Sequence, residues 1–178
     1  WLEHLRAVGA DDDASLALAG RIVGHTATLR SMSVAVTAKV GAGASPTAAA
    51  GTFNLGFEVP IEFNNNWAVG PWMQIGMAED FVDLFVSLNT RYSFDLFDGP
   101  NSRKLRPYMQ GGLGIAYARQ NPFDGDTEFL INMGVGAEYA VSDHVFLGSD
   151  VMVNTMPTAP AGAAYVVSWQ FARLRYRF

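Results

Sequence analysis

The feature that most limits the fold of this sequence is a long alternation of apolar and polar residues. Between Phe81 and Leu96 one set of alternate positions carries Val82, Leu84 and Val86, while the other set is mostly polar, with Asp83 and Ser87 among its members. A period of two is the period of a β-strand with one apolar face. Ordinary soluble strands have only about five or six residues. The alternation therefore predicts a long strand whose two faces meet different surroundings.

The same alternation recurs in eight segments, which are separated by residues typical of turns. Turn-forming types lie at 64–66, 98–102 and 142–144, and short connections of this kind join antiparallel strands as hairpins. An even number of such strands most simply closes as an up-and-down barrel, which is an all-β fold. The predicted strands are 32–41, 52–63, 67–77, 81–96, 105–119, 128–141, 145–154 and 165–178.

The composition indicates which solvent surrounds this barrel. Hydrophobic residues make up 49% of the chain and charged residues 16%, against roughly 25% charged residues in soluble domains. No apolar run reaches the ~18 residues that a membrane-spanning helix needs. An apolar belt across eight strands would aggregate in water, so lipid is its expected solvent. The alternative is a soluble, lipocalin-like barrel that binds an apolar ligand inside.

Charge and cysteine content exclude several functions. The net charge is −5, which argues against a general nucleic-acid binder, because such proteins need a basic face. Cysteine is absent, so disulfides, thiolate metal sites and cysteine nucleophiles are excluded. The sequence indicates no cofactor.

The polar face is predicted to line the lumen. Small residues such as Gly112, Gly114 and Asn132 suit the narrow interior of an eight-stranded barrel. Six acidic and six basic residues, Lys39 among them, share this face and can neutralise one another. We expect a charge network that fills the lumen and prevents wide passage. Its predicted members are Glu58, Glu62, Asp83, Arg91, Asp95, Arg106, Glu138, Asp150, Arg173, Arg175 and Arg177.

Two further patterns help to orient the barrel. A hairpin centred between Pro100 and Asn101 would place Asp95 opposite Arg106 on the lumen side. Aromatic residues near strand ends predict two girdles, as transmembrane barrels have at their interfaces. Beside the short turns these are Phe63, Trp67, Tyr92, Phe94, Tyr139, Tyr176 and Phe178, and at the other rim Phe53, Tyr117, Phe129 and Tyr165.

Three segments carry a family resemblance: RPYMQGGLGIAYAR, GVGAEYAVSDHVFLGSD and the C-terminal LRYRF. Over residues 31–178 the chain resembles the small OmpA-like and OmpX-like outer-membrane β-barrels of Gram-negative bacteria. The resemblance implies an eight-stranded transmembrane barrel in the bacterial outer membrane, in contact with its lipid. It also implies that Tyr176 and Phe178 form an insertion signal for the barrel-assembly machinery, and it leaves room for another protein partner. The outer connections are short for this family, which argues against adhesion.

Residues 1–30 do not follow the alternation and are expected to lie outside the barrel, as a flexible leader, a short helix or a plug. No basic segment followed by an apolar one opens the chain, so we expect that any signal peptide is not part of it.

Candidate sites for chemistry are weak. The turn Ser142–Asp143–His144 holds triad residue types, but adjacent residues point in different directions and cannot form a relay. Asp124, Asp126 and Glu128 alternate as calcium ligands can, although a cation site needs more oxygens and a fixed loop. We therefore expect neither a metal site nor an enzyme, with a barrel-embedded hydrolase as the remaining alternative.

Overall fold

The computed structural model describes residues 32–44, 51–63, 66–79, 81–94, 105–120, 126–158 and 164–178. Residues Ser33–Phe178 form one compact unit, and its regular structure in these ranges consists of β-strands. No helix in the same ranges is long and apolar enough to cross a membrane. The strands are β1 (Ser33–Ala44), β2 (Gly51–Glu58), β3 (Ile61–Glu62), β4 (Trp67–Ala78), β5 (Phe81–Ser93), β6 (Leu105–Gln120), β7 (Asp126–Ala140), β8 (Val145–Met156) and β9 (Ala164–Arg177).

The strands close into an antiparallel barrel. Each strand pairs with the next along the chain, and β1 pairs with β9 to complete the circle. Strands β2 and β3 share one register: Glu58 lies opposite Thr37 and Ile61 opposite Val34. They are one barrel strand, interrupted where Pro60 has no N–H to donate to the ladder. The barrel therefore has eight strands, which confirms the predicted fold class.

The register between β5 and β6 is the one that the sequence predicted. Ser93 lies opposite Tyr108, and continuing that pairing by two residues would bring positions 95 and 106 together. Asp95 and the rest of 95–104 lie outside the described residues, as does the predicted leader at 1–30. Several predicted ends are displaced by a few residues: β1 extends to Ala44 and β7 begins at Asp126.

The last strand departs from strict alternation. The pairing of β9 shifts by one residue against both β8 and β1, and Phe171 and Ala172 both face outward. This β-bulge lets Arg173 and Gln170 face inward although they are three residues apart. Near the bulge, Trp169 Nε1 donates a hydrogen bond to Ser149 Oγ at 3.0 Å, so two polar groups on the apolar face satisfy each other.

The outward face is almost free of charge. Among the outward positions of the described strands, the only charged residue is Arg119, next to the end of β6. Large apolar side chains such as Leu113, Met133 and Val135 are about 60% exposed. We call this surface the lipid-facing belt, because lipid is the solvent in which it is stable.

The predicted rim aromatics lie on this belt beside the strand ends. Near the short turns Trp67 packs on Tyr92 with ring centroids 4.8 Å apart, and Tyr176 packs on Phe178 at 5.0 Å. At the other rim, Phe53, Tyr117, Phe129 and Tyr165 are exposed.

Candidate functional site: the barrel lumen

The lumen near the short turns is crossed by a closed circuit of ion pairs, which we call the cross-strand ring. Its members are Glu62, Arg91, Glu138 and Arg175, from β3, β5, β7 and β9. Arg91 lies 3.2 Å from Glu62 and 3.7 Å from Glu138, and Arg175 pairs with the same two carboxylates. Each residue is at most 5% exposed. Since its members come from alternate strands around the whole barrel, the ring spans the lumen.

A second circuit, the seam ring, lies where the first and last strands meet. It contains Lys39, Glu58, Arg173 and Asp150, from β1, β2, β9 and β8. Lys39 Nζ lies 2.9 Å from Asp150 and 3.4 Å from Glu58, while Arg173 lies 3.4 Å from Glu58 and 3.8 Å from Asp150. Each ring pairs two cations with two carboxylates, so each is neutral.

The two rings are joined, and one more arginine extends them toward the turns. Arg173 donates a hydrogen bond to Glu138 at 2.7 Å. Arg177 lies 2.8 Å from Glu62 and is about a quarter exposed. Buried charges of this kind are stable because each has partners of opposite sign.

Two aromatic rings support the arginines from within the lumen. Arg173 and Arg91 lie over the Tyr108 ring, 4.9 and 5.4 Å from its centroid, and the Tyr108 hydroxyl donates to Asp150 at 2.7 Å. Arg175 lies 4.0 Å from the centroid of Phe146. A Cβ atom at Gly136 would lie 2.6 Å from the Tyr108 ring, so glycine is required where that side chain crosses the lumen.

Beyond the rings, toward the barrel end opposite the short turns, lies a layer of neutral polar side chains. Gln74 Oε1 accepts hydrogen bonds from Gln170 at 2.8 Å and from Ser168 at 3.2 Å. Asn132 donates to Ser87 Oγ at 2.7 Å. Because Gln74 and Gln170 lie on β4 and β9, which are not neighbours in the barrel, this layer also crosses the lumen.

Apolar side chains also fill the lumen beyond the rings. The cluster contains Trp72, Phe85, Ala116, Leu130, Met152, Met156 and Val166. Apolar and amide side chains interleave along single strands: β4 carries Trp72 before Gln74, and β8 carries Met152, Asn154 and Met156 in turn. Beyond the ionic rings the lumen therefore holds interleaved amide and apolar side chains, which occupy space that an open pore would need.

The structure separates some residues that the sequence grouped together. Asp83 is buried beyond Phe85, against Gly76 and near the loops. Eight positions of β5 separate it from Arg91, or about 27 Å at the usual rise of a strand. The expectation that Asp83 joins the network is therefore corrected. Arg106 is half-buried opposite Glu138, while Asp95 lies outside the described residues.

Other candidates are placed as follows. Glu128 accepts a hydrogen bond from Thr158 at 3.3 Å, Asp126 is exposed at the start of β7, and Asp124 lies outside the described residues. The described ranges contain no group of three potential metal ligands. His144 is exposed and lies 2.9 Å from the carbonyl oxygen of Arg177 through its Nδ1.

Sequence reasoning missed several lumen residues. Lys39 was placed on the inner face but outside the network, whereas it closes the seam ring. Tyr108 and Phe146 share the parity of inward neighbours, Gln110 and Asp150, and alternation alone could have identified them. Trp72 and Phe85 share the parity of the inward residues Gln74 and Ser87, but they were not among the predicted lumen residues.

Comparison with solved structures agrees with this architecture. Neisserial surface protein A matches with a TM-score of 0.63 at 18% identity, over 83% of this chain and 97% of that one. The N-terminal β-barrel domain of Pseudomonas aeruginosa OprF matches with a TM-score of 0.56 at 15% identity, over 82% and 97%. Ail, the attachment invasion locus protein of Yersinia pestis, matches at 0.55 and 14%, over 83% and 97%.

No protein-family model and no curated protein matches the sequence. The structural matches show the fold, which is that of the small eight-stranded β-barrels of bacterial outer membranes. The expected eight-stranded antiparallel barrel is thereby confirmed.

Proposed function

We propose that this protein is an integral outer-membrane barrel that works as a closed, lipid-embedded body, in a structural or assembly role. The cross-strand ring is the observation that carries the proposal. Four buried side chains from alternate strands meet across the lumen and pair with one another. Arginine is suited to this role because its planar fork holds two carboxylates at fixed geometry.

The amide and apolar side chains beyond the rings support the same conclusion. A solute that passed the rings would have to break the hydrogen bonds around Gln74 and separate Trp72 from Phe85. Each of these groups is buried and in contact with neighbours across the barrel. Passage is therefore limited to small solutes during brief rearrangements, and the exposed apolar face argues against the soluble-carrier alternative.

The proposal includes a location and partners. The outward positions meet outer-membrane lipid, and the C-terminal strand with Tyr176 and Phe178 is recognised by the barrel-assembly machinery. A further protein partner would dock on the loops or turns. The expectation that the protein is not an enzyme stays a prediction, and turnover of lipid A or of peptides would contradict it.

Reconstitution of the pure protein into planar bilayers tests the closed lumen. We expect no large, steady conductance from the parent protein. Arg91→Ala removes one side of the cross-strand ring and should increase the frequency of brief openings. Arg119→Ala, which removes an exposed arginine outside the lumen, serves as the matched control and should leave the record unchanged.

A wide channel that stays open in the parent protein and conducts both salts and sugars would refute the proposal. Equal opening frequencies for Arg91→Ala and Arg119→Ala would show that the ring does not close the lumen.

A further inference from the structure

The lipid-facing belt contains a groove of about 620 Å³ on the side formed by β4 to β8. Outward side chains of five strands line it, beginning with Trp67 and Tyr92 and ending with Val151 and Val153. Its lining is almost wholly apolar, and Thr90 supplies its outward-facing polar side chain. A barrel surface is generally convex, so a depression of this size needs a local cause.

That cause is a pair of small residues, Thr90 and Gly111, within one of two neighbouring rows of outward side chains. The strand registers align Trp67, Tyr92, Met109, Val135 and Val151 in one row, and Thr90, Gly111, Met133 and Val153 in the next. Gly111 has no side chain and Thr90 has a short one, so the second row is depressed where it crosses β5 and β6. The groove follows these rows across the strands for ~19 Å, which is four spacings of about 4.8 Å.

The groove also has a direction relative to the bilayer. At one end Trp67 is the first residue of β4 and lies at the rim beside the short turns, in the aromatic girdle. At the other end Val151 and Val153 lie in the middle of β8. Strands of such barrels are tilted by about 35–45°, so a line across them rises from the interface into the hydrocarbon region. The groove thus begins at headgroup level and ends within the bilayer.

We propose that this groove binds one acyl chain of a phospholipid from the leaflet on the short-turn side. The inference rests on the membrane location given above and adds a specific, retained lipid to it. The Trp67–Tyr92 pair contacts the glycerol end of the chain, and the methylene groups lie over Gly111 and against Met133.

The chemistry and shape of the groove select this occupant. The groove is continuous with the lipid-facing belt, and it is elongated and lined by uncharged side chains, as an unbranched hydrocarbon chain requires. Because lipid tails are as apolar as the lining, binding comes from van der Waals contact rather than from exclusion of water. A second copy of the barrel would occupy this surface by forming a dimer, which the same variants would reveal.

The test is native mass spectrometry of delipidated protein in detergent micelles, titrated with palmitoyl-oleoyl phosphatidylethanolamine. We expect one lipid retained per protein. Gly111→Leu fills the groove and should weaken retention by about tenfold, which corresponds to ~1.4 kcal/mol. The atom nearest to a Cβ at Gly111 is the backbone oxygen of Asn132 at 3.3 Å, so the substitution needs a shift of a few tenths of an ångström there. Ala38→Leu, at an outward position of β1 far from the groove, is the matched control and should retain lipid like the parent.

Two further measurements keep the test decisive. Thr90→Leu fills the groove from β5 and should cause the same loss, which covers the case in which Gly111→Leu fails to fold. Phosphatidylglycerol with the same chains should bind equally, because the groove recognises the chain and not the headgroup.

The inference is overturned if Gly111→Leu and Thr90→Leu retain lipid as well as the parent does. It is also overturned if the parent forms dimers that Gly111→Leu abolishes. Either result would leave the membrane location intact, because detergent-dependent extraction tests that location separately.

Discussion

Replacing Glu138 by glutamine should destabilise the barrel strongly, because this carboxylate belongs to the cross-strand ring and also joins it to the seam ring. It accepts hydrogen bonds from Arg173 and Arg175 and lies 3.7 Å from Arg91. Glu138→Gln keeps the shape but leaves three buried guanidinium groups with one fewer negative charge. Hydrogen bonds to charged groups contribute about 1.5–3 kcal/mol each, and breaking a buried ion pair costs about 3–5 kcal/mol. We expect a loss of about 3–5 kcal/mol in the free energy of unfolding.

Reversible denaturant unfolding in lipid vesicles, followed by tryptophan fluorescence, measures this loss. Glu128→Gln is the matched control: Glu128 lies near the opposite end of β7 and has a single hydrogen bond, from Thr158. Its effect should stay within about 1 kcal/mol.

A double-mutant cycle then separates pairing from packing. Glu138→Gln combined with Arg173→Met should cost less than the two single changes together, since the second change removes one of the stranded charges. Strictly additive costs, or a parent-like midpoint for Glu138→Gln, would refute the ring as a stabilising unit.

Three other outcomes follow from the same structure. Val86→Arg, on the lipid-facing belt, should cost about 2–4 kcal/mol, whereas Val86→Leu should cost little; equal unfolding midpoints for the two would show that this face does not meet lipid. The protein should extract only with detergent and should change its gel mobility on boiling, because a closed barrel resists detergent at room temperature; a monomer soluble without detergent contradicts this. Trp72→Ala should cost about 3–5 kcal/mol by leaving a cavity beside Phe85, and calorimetry of the two variants Trp72→Ala and Trp72→Phe would show whether the cost follows the cavity.

Alternation predicted the fold and one hairpin register because both depend on neighbouring strands. The spacing of turn residues around Pro100 was enough to place β5 against β6 in the observed register. The bulge in β9 was not predicted from the sequence. Phe171 and Ala172 are both apolar, and two adjacent apolar residues do not by themselves indicate an extra outward position. Its signal is the spacing of three between the inward polar residues Gln170 and Arg173.

The layers inside the lumen could not be predicted in the same way. Gln74 and Gln170 are 96 residues apart and lie on strands that do not pair, so their contact depends on the stagger of the whole barrel. The position of Asp83 is a different case: eight positions of β5 separate it from Arg91, and this distance could have been inferred from the sequence alone. Period-two patterns assign a residue to a face, but they do not give its height along the barrel relative to distant strands.

The ion pairs of the rings join residues that are far apart in the sequence. This separation determines the stage of folding at which the lumen loses its water. Arg175 and Glu62 are 113 residues apart, and Arg173 and Glu58 are 115 apart. In an open sheet that lacks β9, Glu58 keeps only Lys39 and Glu62 keeps only Arg91 among their ring partners, and carboxylates that are incompletely paired stay hydrated. Water therefore remains between the strands until β9 reaches β1. Barrel closure and dehydration of the lumen are one cooperative step, whose rate reflects the high contact order of the last pairing.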